Sequence, residues 1–474
     1  MKKYIIILFV LSLGLSSCED IIDKEPLDSV SEKIAFESAN DFNAALNGVY
    51  SILAKSYGGY NHFMCLEIPT ALSDNAELTA NGRSAFSSRN VYDVAYKPVQ
   101  SVFQSNMVWN ETYSAIVRAN IIIRNIKDFK DISDEEKNNI LGEALALRGM
   151  LHFDLVRFYG RDYHYEKTAL GVPYIYGVSR DKVSRNSVEE VYKNAIDDLL
   201  EAEKLLENST NNYSRISQTT VQAILTRLYL TKRDYDNCVT YADKVINSGK
   251  YELLSGADFN KIWNDEDKDI KGEVIFKIRF TEADKVNPMN GGIFDAPFTG
   301  KIFHLANDFI ALYDQTNDIR FASYYVEDPD NAGKYAVNKY PGRSELVESQ
   351  YYPVKANDMK LYRLSEIYLS KAEAIVKGGK GTNADALKAL NAVRTKRGLA
   401  EGNETDAALE TAIYNERRKE LAFEGIRYYD IKRLNQALVR NSETILIAND
   451  YRFAFPLPQE ELDRNKNLKQ NKDY

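Results

Sequence analysis

Leu15-Ser16-Ser17-Cys18 has the form that a lipoprotein peptidase recognises. A branched apolar residue is followed by two small residues, which leave the extended backbone open to the enzyme's grip, and then by a thiol. The chemistry expected here is attachment of diacylglycerol to the Cys18 sulfur, cleavage just before Cys18, and acylation of the freed amine. Several acyl chains anchor stably where a single one does not. Upstream, Lys2 and Lys3 give a positive segment, and Tyr4 to Leu15 an apolar stretch. That stretch has signal-peptide length and falls short of the roughly 20 apolar residues a membrane-spanning helix needs. Residues 1–17 therefore read as a lipoprotein signal peptide. Residues 18–36, polar and containing Pro26, read as a lipidated tether.

The other reactive side chains form no recognisable centre. His62, His152, His164 and His304 lack metal-ligand spacing, and no HExxH is present. His152 sits within a helical pattern and reads as a packing residue. No GxSxG elbow occurs. Gly378 to Thr382 misses the spacing of a phosphate loop and reads as a turn between helices. Asp328, Asp330 and Gly333 are spaced as in a calcium loop, but Ala332 and Lys339 stand where oxygen ligands are required. A glycosidase needs two carboxylates facing each other across a cleft, which a linear sequence cannot display. The expectation is a protein with no catalytic residues, no metal and no cofactor. Cys65 and Cys238 are favoured as free thiols, since nothing resembles a stapled scaffold; a disulfide between them stays open.

The formal net charge is −8, and loss of the first 17 residues, with Lys2 and Lys3 and no acid, takes it to about −10. Acids and bases are interspersed. Nucleic-acid binding needs a basic stripe, and none is present. Tyrosine is abundant, 32 against 2 tryptophans, which suits both helix packing with wet tips and polar ligand surfaces.

The elements that must position any site are mainly helical. Ser133 to Glu136 and Ser187 to Glu190 have capping-box form. Behind the second, Val188, Val191, Tyr192, Ala195, Ile196 and Leu199 share a helical face. Residues 217–248 read as a helix, the turn Lys232-Arg233-Asp234, and a second helix, with the small and aromatic spacing of a tetratricopeptide pair. A similar pair spans 360–376 and 382–396, and a looser one 109–158. Such pairs stack because none can bury its apolar face alone. The organisation expected after residue 36 is one domain over 37–474. Helical repeats fall at about 37–55, 107–248 and 360–434, and loop-rich regions at about 56–106 and 250–358. Glu273 to Phe280 reads as a strand with Val274, Phe276, Ile278 and Phe280 on one face. The charges from Glu416 to Arg433 alternate at helical spacing and read as an ion-pair lattice pinning the last helices.

In combination, several stretches resemble the SusD/RagB family of surface nutrient-binding lipoproteins. They are the lipobox with Glu19-Asp20; Glu25-Pro26-Leu27-Asp28; Trp109 with Tyr113, Ile116 and Asn120; Glu143 through Arg148 to Gly160; and Gly171-Val172-Pro173. Arg363 with Glu366 to Leu369, Asn391 to Arg394, Glu416 to Asp430, and the closing Pro456 to Asn471 complete the set. The resemblance implies about four tetratricopeptide-like helix pairs, with loops and short strands on one side. It implies a lid on a SusC-type TonB-dependent transporter, and capture of an oligosaccharide without cleavage. It further implies an outer-membrane location, facing the exterior. Within the family, an oligopeptide-binding role is the alternative; a surface glycoside hydrolase is the alternative of another class. Trp109 and Trp263 fall at framework positions, so any stacking on sugar must come from Tyr or Phe. The residues expected to bind ligand are Asp74, Asn81, Arg83, Asn90, Tyr92 and Tyr96, with Asn290 and Phe294 on a second wall.

Overall fold

The computed structural model describes residues 35–55, 59–80, 82, 89–96, 103–178, 181–210, 212–265, 271–280, 302–341 and 357–474. The signal peptide, Cys18 and nearly all of the tether lie outside the described residues, as do Asn81, Arg83, Asn290 and Phe294. Among the described residues no helix is long and apolar enough to cross a membrane.

Helix α1 (Ala39–Leu53) is followed by a π-helical turn, Gly59–Glu67, that runs into the short helix Ile68–Ala71. Helices α2 (Phe103–Asp128) and α3 (Asp134–Tyr159) form a long hairpin; Ser133 Oγ caps α3 by accepting from the Glu136 amide at 3.3 Å. Helix α4 (Val188–Leu205) starts on the reciprocal Ser187–Glu190 box that the sequence pattern predicts. Helices α5 (Gln218–Lys232) and α6 (Tyr235–Asn247) follow, then α7 (Leu364–Val376), α8 (Asn383–Lys396), α9 (Asp406–Glu420) and α10 (Arg427–Arg433).

These helices stack in series. Helix α1 packs on α2, α2 on α3, α3 on α4, α4 on α5, α5 on α6, α6 on α7, and α7 on both α8 and α9. Helix α5 is buried almost all round, from Thr219 to Thr231, because α4, α6, α7 and a strand cover it. Each fully buried Leu or Ile there, such as Ile224, Leu225 and Leu228, contributes roughly 1.5–3 kcal/mol. The turns match the sequence reading. Arg233 takes the left-handed conformation (φ 62°) between α5 and α6, and Gly378 and Gly381 (φ 102° and 119°) turn the chain between α7 and α8. The architecture is the mainly helical, tetratricopeptide-like one expected.

Short strands lie outside the stack: β1 (Ala76–Leu78), β2 (Val274–Ile278), β3 (Phe303–Leu305), β4 (Tyr325–Glu327), β5 (Tyr335–Val337), β6 (Met359–Arg363), β7 (Leu438–Arg440) and β8 (Glu443–Leu446). They form the antiparallel pairs β1–β3, β2–β6, β4–β5 and β7–β8. Strand β2 is shorter than predicted and buried on both faces, with Lys277 held 3.2 Å from the Asp358 carboxylate. Trp109 and Trp263 are core residues, as expected.

The interior also carries charge. Arg320, Arg363 and Arg397, each at most 1% exposed, converge on Glu420. Glu420 accepts from Arg363 Nη1 at 2.9 Å, from Arg397 Nε and Nη2 at 2.9 and 2.8 Å, and from Arg320 Nη1 at 3.0 Å. Glu273 bridges Arg363 and Arg397, while Glu424 takes Arg363 and Lys339. Burial opposes charge on Glu420, yet the surrounding arginines hold it well below the usual carboxylate range. The lattice read from residues 416–433 thus exists, but it is buried. Several of its members come from distant segments, which the linear pattern could not reveal.

Candidate functional site

The segment after Ile68–Ala71 is fixed by arginines from the end of the chain. Asp74 accepts from Arg427 Nε and Nη2 at 2.7 and 2.6 Å, and Arg418 Nη2 lies 3.4 Å away. Burial works against its charge, but the two guanidinium groups outweigh burial and hold the carboxyl below its ordinary value. Arg440 of β7 donates to the Ser73 carbonyl at 2.9 Å, to the Tyr92 carbonyl at 2.8 Å and to the Ala71 carbonyl, with the Tyr92 ring 4.0 Å beneath its guanidinium. The Tyr92 hydroxyl accepts from the Leu78 amide at 3.3 Å. The Tyr96 ring stacks on Phe455 at 4.9 Å, and its hydroxyl donates to the Arg452 carbonyl at 2.6 Å. Asp74, Tyr92 and Tyr96 therefore face inward and hold the segment in place. Asn90 is exposed, and its carbonyl accepts from the Ala95 amide at 2.8 Å.

Strands β1 and β3 join the segment after Asp74 to the chain around Phe303. Glu77 pairs in register with His304, the Thr79 amide donates to the Ile302 carbonyl at 3.0 Å, and a Cβ at Gly82 would stand 2.2 Å from that same carbonyl. The chain leaving β1 toward residues 83–88 and the chain arriving at β3 from residues 281–301 thus spring from adjoining backbone. The β4–β5 hairpin joins the ribbon through His304 Nε2, 2.7 Å from Asp328 Oδ2. Asp328 also accepts from the Asp330 amide and from Asn331 Nδ2, each at 3.1 Å, so its carboxylate closes its own turn. Among the described residues, no group of three or more His, Cys, Asp or Glu is placed to hold a metal ion. The sequence reading weighed His304 only as a metal ligand and Asp328 only in a calcium loop, and did not single out Glu77; the signal for the turn was the Asp-Pro-Asp-Asn run, while the β1–β3 register left none. The two described cysteines, Cys65 and Cys238, are free.

The overall fold recurs in known proteins. Residues 209–474 match the model of the SusD family, and residues 25–230 match a family model described as starch-binding and associating with the outer membrane. The chain belongs to the SusD family. SusD-like protein P38 of Formosa agariphila is 26% identical across 100% of both chains, and SusD-like protein P2 of the same organism is 27% identical across 99% of both. Among solved structures, a putative sugar-binding protein from Bacteroides vulgatus superposes with a TM-score of 0.79 at 27% identity, covering 93% of this chain and 99% of the other. A SusD superfamily protein from Bacteroides thetaiotaomicron superposes with a TM-score of 0.76 at 25% identity, covering 92% and 99%. In this SusD-family chain, the arginine clamp and the β1–β3 ribbon hold the stretch from Ala71 to Thr79 against the chain from Ile302 to Leu305.

Proposed function

We propose that this protein captures an oligosaccharide at the outer surface of the outer membrane, held there by acyl chains on Cys18. It passes the sugar to a SusC-type TonB-dependent transporter that it covers as a lid, without cleaving it. The observation that carries this reading is the joining of Thr79 and Gly82 to Ile302 in a SusD-family frame: the segments that carry Asn81 and Arg83 on one side and Asn290 and Phe294 on the other are tied to one ribbon. The likeness to a starch-binding family and to a putative sugar-binding protein of Bacteroides vulgatus supports a glycan. In this reading Asn81, Arg83, Asn90, Asn290 and Phe294 meet the ligand, while Asp74, Tyr92 and Tyr96 act through the position of the segment.

The test is calorimetric titration of the chain from residue 19 onward against panels of neutral glycans, acidic glycans and peptides. Heat with a neutral glycan that is recovered intact supports capture. Turnover of the sugar moves the protein to the glycosidases, and saturable heat with peptides alone moves it to oligopeptide capture.

A further inference from the structure

A second polar constellation lies apart from the ribbon. A cavity of about 20 Å³ sits where the Gly59–Glu67 turn, α3, α5, β6 and α10 meet, and its wall includes Tyr60, Cys65, Asp154, Arg157, Arg227 and Tyr362. Two of these side chains present atoms that find no hydrogen-bond partner among the described residues: Arg157 Nε and the Tyr362 hydroxyl. Arg157 is 8% and Tyr362 1% exposed, so bulk solvent does not serve them. The neighbouring groups are already engaged. Asp154 accepts from the Tyr60 hydroxyl at 2.8 Å and pairs with Arg157 Nη2. Arg227 donates to Glu366 at 2.7 and 2.6 Å and lies 3.8 Å over the Tyr362 ring.

Each charge on the wall already has its counter-charge, Arg157 with Asp154, Arg227 with Glu366, and Glu424 with Arg363 and Lys339, so none is left to call for an ion. What is missing is an acceptor for Arg157 Nε–H and a partner for the Tyr362 hydroxyl. Buried donors left unpaired bear their full desolvation cost. A cavity of this size takes one water, which needs two to four polar partners. We propose that the cavity is a binding site for a single internal water. It accepts from Arg157 Nε–H, exchanges a hydrogen bond with the Tyr362 hydroxyl, and has the Asp154 carboxylate on the wall to receive its remaining proton. Gly425 (φ 74°) presses so close that a Cβ there would stand 1.8 Å from the Cys65 carbonyl, which closes one wall. The water so held ties α3 to β6 beneath the π-helical turn, just upstream of Asp74.

The test pairs a high-resolution crystal structure of the mature chain with the substitution Tyr362→Phe, which keeps the ring under Arg227. The expected results are one density peak within hydrogen-bonding distance of both atoms and no anomalous peak there after a bromide soak. Y362F should melt below the wild type and lose one long-lived water by magnetic relaxation dispersion. Empty density, a bromide peak, or a Y362F that melts at or above the wild type, as removal of an unpaired hydroxyl would produce, overturns the proposal.

Discussion

Protonation of His152 should loosen the joint between α3 and the segment from Pro173 to Tyr176. The ring is 0% exposed and stacks on Tyr174 at 3.8 Å. Its Nδ1 lies 2.9 Å from the Arg148 carbonyl, which can only accept, and its Nε2 lies 3.0 Å from the Ile175 amide, which can only donate. The neutral Nδ1–H tautomer is the one form that satisfies both. Burial, with the nearby Arg148 charge, pushes the imidazole down to about 3 from 6.5, against the opposing hydrogen bond to the Arg148 carbonyl. A base depressed in the folded state contributes stability that is complete above the unfolded value near pH 6.5 and is lost as pH falls toward 3. Between pH 7 and pH 5 the loss comes to about 2 kcal/mol, since the unfolded ring gains its proton and the folded one does not. The assay is urea denaturation of wild type and His152→Gln at both pH values, with nitrogen-15 shifts of the imidazole followed in the folded protein. Gln keeps an acceptor for the Ile175 amide but does not titrate, so its stability should fall by about 2 kcal/mol less over that range. A ring that titrates near 6.5 in the folded protein, or equal pH slopes for the two proteins, refutes the reasoning.

Further outcomes follow from the charged interior and the clamp. Glu420→Gln leaves three buried guanidinium groups short of a counter-charge and should cost about 3–5 kcal/mol in chemical denaturation. Asp430 is held at about 2 because Arg417 and Arg433 outweigh its burial. Its contribution, about 2 kcal/mol, is present above pH 3.8 and lost as pH falls through 2, so Asp430→Asn should flatten acid unfolding in that window. Arg440→Met keeps an apolar stem over Tyr92 but removes the three carbonyl contacts. It should cost roughly 3 kcal/mol and weaken glycan binding by titration calorimetry. Burial raises the thiols of Cys65 and Cys238, so iodoacetamide should modify neither at pH 8 until the protein is unfolded, as mass spectrometry would record.

The helical frame was legible because its signals are local. The Ser187–Glu190 box, the apolar face behind it, the α5–α6 turn at Arg233 and the Gly378–Gly381 break each lie within a few residues of what they determine. Site residues were less legible because their fate is set at long range. Asp74 and Tyr92 have the polarity and aromaticity of ligand contacts. What engages them is Arg427 and Arg440, and no pattern near residue 74 signals a guanidinium contributed from the far end of the chain. Tyr96 meets the same fate through Phe455. The charge alternation after Glu416 was visible, but not its burial, which depends on Glu273, Arg320, Arg363 and Arg397 arriving from elsewhere.

Arg440 reaches back across 367 sequence positions to the Ser73 carbonyl. Everything upstream can be synthesised, and its helices can stack in order, before that guanidinium exists. The segment proposed to meet sugar therefore stays unclamped until nearly the whole polypeptide has emerged. Premature stops between the last loop residue and Arg440 would yield chains that own every side chain proposed to meet sugar yet lack the bolt that sets the segment after Ala71. Competence to grip is thus a property of the finished molecule, timed by the direction in which it is made.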